Sequence, residues 1–434
     1  MTWVIYYHIL QKTIVSTSEV IMRTFDLLSP ADAMSKLNAV LDAAHVALPT
    51  EFVPAASARN RVLAHDAQSP IPLPEFRRST VDGYAVRASS TPGVLRVIGE
   101  VRMGELTGLR VKLGDAALVH TGGNIPEGAD AVLMVEQIKV LDQSGHGKIQ
   151  TQSQVLAGDN VIQQGEDVQP GEVVVRGGTR LREQEIGGLL SLGMTQVEVL
   201  RKPRVALIAS GDEVVPAEAE THPGQVRNIN TPMLAALIER HGGVALDFGI
   251  LPDRRDAFEE AAQRAMHDTD VDAVVFMAGS SVSERDFTPD VVNGMGRPGI
   301  LVHGINFRPG KPTLFAVCDG KPVFGLPGNP ISALVTASLF VIPTVWRVQG
   351  ASMPQPNMVR AALAKDVKSP RDLEHWFPVA LVPAGEVGTL PKAEPITSKS
   401  NLIFGLVRAS GLVCAPIGVD RLAAGSLVDV RLFD

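Results

Sequence analysis

From Lys202-Pro203 onward, uninterrupted apolar runs alternate with stretches of helical period, and this alternation restricts the fold more than any other feature of the chain. The first run, 205–209, leads into Ser210-Gly211-Asp212-Glu213. Thr231-Pro232 opens a helix ending near His241-Gly242, followed by a strand over 244–250 and a helix over 255–267. A further apolar run, 273–278, enters Gly279-Ser280-Ser281. Strands apolar at every position are covered on both faces, and strand–helix alternation makes them parallel. Residues 202–350 are therefore predicted to form a doubly wound, mostly parallel α/β domain.

The flanks read differently. Residues 29–45 have Ser29 as cap, Pro30 at the first helical position and apolar residues at helical spacing. Residues 50–76 run extended, since Pro70, Pro72 and Pro74 oppose helix. Between 81 and 140 short apolar runs alternate with Gly, Pro and Asp, the pattern of a small β module. Turns and strand return over 155–200, with a helix over 183–192 ending at Gly193, and 354–434 reads as a small barrel or sandwich. The expected division is an N-terminal extension (1–25), an elongated mixed helical/β segment (26–65 with 151–201), a small β module (66–150), the α/β domain (202–350) and a C-terminal β-barrel-like domain (354–434).

A chain of 434 residues exceeds one compact core. Its 40 basic and 47 acidic residues give −7, which argues against general nucleic-acid or membrane-surface binding, so any anion must be gripped locally. Cys318 and Cys414 stand far apart, which excludes a disulfide framework and a cysteine zinc site and points to a reducing cytoplasm. The opening apolar run lacks a basic leader and is too short to span a bilayer; with Met22 as a more ordinary beginning, residues 1–21 read as a dispensable extension.

The densest chemistry lies over residues 303–332, where two glycine-proline turns bracket a strand. The first turn carries Arg308, Gly310 and Lys311; the second, Leu326-Pro327-Gly328-Asn329-Pro330, reads as strand end, tight turn, helix cap (Asn329) and first helical residue (Pro330). A helix start offers backbone N–H groups and a positive dipole end, and fixed cations beside it suit a phosphorylated ligand. An ordinary strand–helix connection with surface basics would read the same way. Ser210–Glu213, Gly279-Ser280-Ser281 leading to Asp286, and Pro327–Pro330 all follow strand carboxyl ends, where open parallel sheets bind ligands. Carboxylates such as Asp212, Glu213, Asp253 and Asp286 could hold Mg²⁺, although each alone fits a solvated cap or turn. Ser79–Ala85, containing Asp82, and His120–Asp130, containing Thr121, are compatible with hairpin chemistry alone.

At these residues the chain resembles the MoeA family of molybdopterin molybdenumtransferases, to which the C-terminal part of gephyrin also belongs. The resemblance runs from about residue 29 to 432 and rests on STVDGYAVRA, TGGNIPEGADAVLMVEQ, GEDVQPGE, ASGDEVV, GILPD, GSSVSERDFT, RPGKPT and GLPGNPISAL in the family's order. It implies a Mg²⁺-dependent enzyme acting on adenylylated molybdopterin and molybdate, with AMP released and molybdenum taken by the pterin dithiolene. It also implies an elongated cytoplasmic homodimer whose active cleft joins the α/β domain of one subunit to the β module of the other, with an adenylyltransferase and a molybdoenzyme as partners. Asp82, Thr121, Asp167, Glu213, Asp253 and Asp286 match family positions of functional weight, Glu213 and Asp286 being the expected metal or water ligands. Pro327, Pro330 and Ser400 match the pterin-domain turn and a last-domain serine.

Four departures accompany the resemblance. Arg308 stands for a frequent lysine, Gly304 for a second lysine, and Pro378 for an arginine found in some members. The loop from Gly279 to Asp286 is shorter than the common form. Fewer cations imply that other residues hold the oxyanion, or that the metal preference differs. Tungsten insertion, a specialised paralogue and a non-catalytic pterin-binding scaffold are the neighbouring readings.

Overall fold

The computed structural model describes residues 27–44, 47–142, 147–277, 287–385, 388–396 and 399–433. Contacts divide the chain into two units, Thr50–Leu200 and the remainder. Residues 1–21, Gly279-Ser280-Ser281 and Asp286 lie outside the described residues.

In the first unit, alternation of apolar and polar positions produces a six-stranded sheet from β1 (Gly83–Val86), β2 (Gly93–Glu100), β3 (Asp115–Val119), β4 (Ala131–Met134), β5 (Ile138–Val140) and β6 (Lys148–Thr151). Their spatial order is β4-β1-β3-β2-β6-β5. Only β2 and β3 pair in parallel; the other neighbours are antiparallel. Successive side chains face opposite ways, so Ala85, Ala117 and Val132 enter one core while Val86, Ala116, Ala131 and Leu133 enter another. Gly83 is required where β1 meets β4, because a Cβ there would lie 1.9 Å from the Leu133 carbonyl oxygen. A smaller sheet joins Thr50–Pro54 and Val62–Leu63 to Gln196–Leu200. The helix Glu183–Ser191 closes its core with Leu189.

The second unit contains β7 (Arg204–Ser210), β8 (Val244–Leu251), β9 (Ala273–Met277), β10 (Pro298–His303), β11 (Leu314–Cys318) and β12 (Lys321–Leu326), ordered β8-β7-β9-β12-β11-β10. The first four in space are parallel; β11 and β10 are antiparallel additions. Val205, Leu207 and Ala209 pack on one side with the helices Pro30–Ala44, Asn230–Arg240 and Pro330–Val348. Ala206 and Ile208 pack on the other with Arg255–His267 and Thr288–Gly294. Ser29 caps the first helix, its Oγ accepting the Asp32 N–H at 3.1 Å. That helix, expected with residues 151–201, sends Ala33 and Leu37 into the α/β core instead.

One local reading needs correction. The single strand expected between the glycine-proline turns is the hairpin β11–β12, turned at Asp319-Gly320, both at positive φ (47° and 86°). Such Asp-Gly turns match the twist of antiparallel strands. Pro330–Val348 is apolar and long enough to cross a membrane, but it is largely buried in the α/β core. Its π turn, Ala337–Val341, comes just before Pro343, which has no N–H to continue the helical ladder.

The last residues close a five-stranded barrel: β13 (Met358–Leu363), β14 (Glu374–Val382), β15 (Lys392–Pro395), β16 (Gly411–Ala415) and β17 (Leu427–Leu432). The ring runs β14-β15-β13-β17-β16 and closes through β14–β16 pairing. The short strand Phe307–Arg308 adds to β14, with Arg308 opposite His375.

Candidate functional site

The Arg308 turn is shaped by backbone requirements before any ligand is considered. Gly310 has φ +124°, and a Cβ would lie 2.5 Å from Thr336 Oγ1. Its carbonyl accepts the Thr313 hydroxyl at 2.6 Å, fixing the chain on both sides of Lys311. Pro327, Asn329 and Ser400 come to the same place, all lining one cleft of about 1290 Å³.

The helix start behaves differently from its sequence reading. Asn329 occupies the capping position and Pro330 the first helical position, but Asn329 makes no side-chain capping bond. The Ile331 N–H is donated to the Ser400 carbonyl at 3.1 Å, and Pro330 has none to offer. One of the donors expected to face an anion is therefore already used. Asn230 Nδ2 supports the turn from the side by donating to the Gly328 carbonyl at 2.8 Å.

Cationic side chains supply what the helix end does not. Arg308, Lys311, Lys365, Lys368 and Lys399 line the cleft; among the described residues its one carboxylate, Asp366, is paired with Arg421 Nη2 at 2.5 Å and accepts the Ala424 N–H at 2.8 Å. Those two donors, the Ala424 N–H first, hold the Asp366 carboxyl below its ordinary range. His375 and Trp376, both half-buried, form an aromatic wall, with Phe307 and Phe377 buried in the cores beside it. Burial, and secondly the charge of Arg308, push His375 down to about 4, so the ring is neutral near pH 7. Its Nδ1 is buried without a hydrogen-bond partner.

Lys365, Lys368, Lys399 and the aromatic wall were not anticipated from sequence. Lys365 precedes and Lys368 ends the two-residue strand Val367–Lys368, a spacing that carries no periodic signal, and only the barrel's docking turns them towards Arg308. Pro378 also lines this cleft, so the departure noted above lies at the site itself.

The carboxylates gather elsewhere. Ser210 ends β7 and is buried; Gly211, at φ +138°, has no room for a Cβ beside Val214 and Glu213. Asp212 Oδ1 accepts the Asp253 N–H at 3.0 Å, joining the carboxyl ends of neighbouring β7 and β8. Glu213 is exposed in the same loop. Gly211 and Asp212 line a second cleft of about 820 Å³ with Asp247 and Asn228, separate from the cationic one. Among the described residues no group of three or more His, Cys, Asp or Glu gathers to hold a metal.

In the other unit, Asp82 Oδ1 accepts the Thr121 N–H at 2.8 Å and the Thr121 hydroxyl at 3.2 Å. The two separated motifs therefore meet. Asp167 does not join them; its N–H donates to the Leu73 carbonyl at 3.0 Å.

Sequence comparison agrees with this architecture along the chain. Residues 28–193 match the MoeA N-terminal region (domain I and II), 206–347 the family described as "Probable molybdopterin binding domain", and 360–433 the MoeA C-terminal region (domain IV). A Bacillus subtilis protein named molybdopterin molybdenumtransferase is 32% identical over 88% of this chain and 90% of its own length. Its namesake in Staphylococcus epidermidis is 30% identical over 86% and 88%. The solved structure of the molybdopterin biosynthesis MoeA protein from Pyrococcus horikoshii has a TM-score of 0.77 at 33% identity, covering 94% of this chain and 100% of that one. Full-length similarity at this identity, carried by all three matched regions, means that the chain belongs to the MoeA family of molybdopterin molybdenumtransferases.

Proposed function

We propose that this transferase inserts molybdenum into adenylylated molybdopterin in molybdenum cofactor biosynthesis. The supporting observation is the cationic cleft: among the described residues, five basic side chains and an aromatic wall, on a chain of net charge −7, with the one acid lining it, Asp366, already paired. A pterin carrying a pyrophosphate link needs a flat apolar contact for its ring and fixed cations for its phosphates. Trp376, half-buried at the cleft, fits the first need, and Arg308, Lys311 and Lys368 the second.

In this reading water attacks the phosphoanhydride, AMP leaves, the pterin keeps its own phosphate, and molybdate delivers molybdenum to the dithiolene. Arg308 and the lysines hold the phosphate oxygens and stabilise charge as the anhydride opens. Asp82 and Thr121 act in the same reaction, and Asp167 and Asp253 support it from their loops. Ser210, Gly211 and Asp212 at the end of β7 belong with the pterin-binding groups, as do Gly279, Ser280 and Ser281 outside the described residues. Mg²⁺ would be held by Glu213 with Asp286 and would stabilise charge on the phosphate oxygens; the described residues alone do not form its site. A cytoplasmic homodimer exchanging ligand with an adenylyltransferase and a molybdoenzyme belongs to the same proposal.

The test is AMP release from adenylylated molybdopterin by the purified protein, with Mg²⁺ and either molybdate, tungstate or neither. Molybdate-stimulated release is expected. Tungstate preference would move the reading to tungsten insertion, and binding without AMP release would leave a scaffold.

A further inference from the structure

Three neighbouring strands of the first unit bring remote polar residues to one sheet end. The antiparallel β1/β3 register pairs Gly83 with Val119, so Asp82, just before β1, lies across from His120, just after β3. Parallel pairing of β2 and β3 sets Glu100 beside Leu118. As a result His120 Nε2 is 2.8 Å from Glu100 Oε1, and His120 Nδ1 is 3.9 Å from Asp82 Oδ1.

From this arrangement we propose that His120, anchored by Glu100, is a positioning residue that sets the Asp82 carboxylate for the reaction. The inference rests on the reading above that Asp82 works in that reaction.

Both ends of His120 are held. Its carbonyl accepts the Gly123 N–H at 2.8 Å, in a turn where a Cβ on Gly123 would lie 2.8 Å from that same oxygen. At the ring, the 2.8 Å contact between Nε2 and Glu100 Oε1 fixes the imidazole plane and turns Nδ1 towards Asp82. Asp82 Oδ1 already accepts both Thr121 donors, which leaves Oδ2 as the oxygen available to a ligand or water. A carboxylate–imidazole–carboxylate row of this kind orients its terminal member through a third group. A bare surface ion pair would be worth little and would need no such anchoring. The Thr121 donors first, with the His120 charge a lesser contribution, hold the Asp82 carboxyl below its ordinary range. The charged groups paired with His120 are Glu100 at the end of β2 and Asp82 at the head of β1. All three side chains are open to solvent, with 40% exposure at His120, 53% at Glu100 and 63% at Asp82.

The experiment uses the full chain in the AMP-release assay, comparing His120→Asn, Glu100→Gln, Asp82→Ala and the Asp82→Ala/His120→Asn double variant, with thermal melts as a folding control. His120→Asn is expected to lower kcat about 10- to 100-fold, the scale of a misplaced catalytic group, while KM stays close to wild type. The acid limb of its kcat profile should move to higher pH, because Asp82 has lost a neighbouring positive charge. Glu100→Gln should follow in the same direction, and the double variant should be no slower than Asp82→Ala alone. A wild-type kcat with an unmoved acid limb in His120→Asn, beside an inactive Asp82→Ala, would overturn the positioning role and leave the Asp82 reading intact. Losses that multiply in the double variant would overturn it as well. Wild-type turnover in Asp82→Ala would remove the Asp82 reading and the positioning role with it.

Discussion

Asn230 holds Gly328: the Nδ2 of the first residue of helix Asn230–Arg240 donates to the carbonyl in the middle of the Pro327–Pro330 turn at 2.8 Å. The bond joins the helix that follows β7 to the turn that follows β12, two elements nearly a hundred residues apart (|i−j| = 98). The remaining side-chain oxygen, Asn230 Oδ1, is buried without a hydrogen-bond partner. Asn230 thus serves turn geometry at some cost in unpaired polarity.

Removing that support should loosen the turn without unfolding the domain. Asn230→Ala is expected to lower kcat/KM about tenfold, from loss of one net hydrogen bond of about 1 kcal/mol plus displacement of the turn. Steady-state AMP release and a thermal melt check this; unchanged kcat/KM would show that the turn keeps its place without Asn230.

Charge in the cleft should be readable through salt. Lys368→Ala is expected to weaken binding of a pyrophosphate-bearing ligand about tenfold, a charge-assisted hydrogen bond being worth about 1.5–3 kcal/mol before screening. It should also flatten the dependence of affinity on ionic strength. Titration calorimetry at two salt concentrations decides it, and an unaltered salt slope would remove Lys368 from the ligand's surroundings.

His375 should leave a signature in stability against pH. Its folded value, about 4, is below the unfolded 6.5, so between these values the unfolded chain binds the additional proton. Stability contributed by this residue therefore rises with pH from about 4 to 6.5 and is level above that range. His375→Phe should flatten that rise, as measured by urea midpoints across the window. The same slope in the variant would place the titration elsewhere.

Gly310 should tolerate no side chain. Gly310→Ala forces a Cβ to φ +124° and to within 2.5 Å of Thr336 Oγ1. A loss of about 1–3 kcal/mol is expected from the backbone conformation alone, seen as a lower Tm together with weaker ligand binding. A melt identical to wild type would show that the turn relaxes.

Much of the α/β domain was legible because its signals are local. Val205, Ala206, Leu207, Ile208 and Ala209 are apolar in succession because helices cover both faces of β7, and all five are buried. Pro330 and Gly193 marked a helix start and stop through backbone restrictions that any reader of sequence can apply. The Asp319-Gly320 hairpin is legible too, although the apolar residues on either side of it read as one strand. The cationic site was legible only in half. Arg308 and Lys311 stand in a conspicuous turn, whereas Lys365 and Lys368 look like surface lysines beside and on a short strand.

The sequence by itself determined where strands, helices and tight turns form, since apolar period, proline's fixed φ and glycine's freedom act over a few neighbouring residues. Through its ordered motifs it also determined the family. Only the tertiary structure decided which charges meet: the barrel brings Lys368 and His375 to Arg308, Ser400 takes the Ile331 N–H, and the β1–β3–β2 order sets His120 between Glu100 and Asp82. Those meetings depend on how separate hydrophobic surfaces pack, and packing joins residues without regard to their distance along the chain.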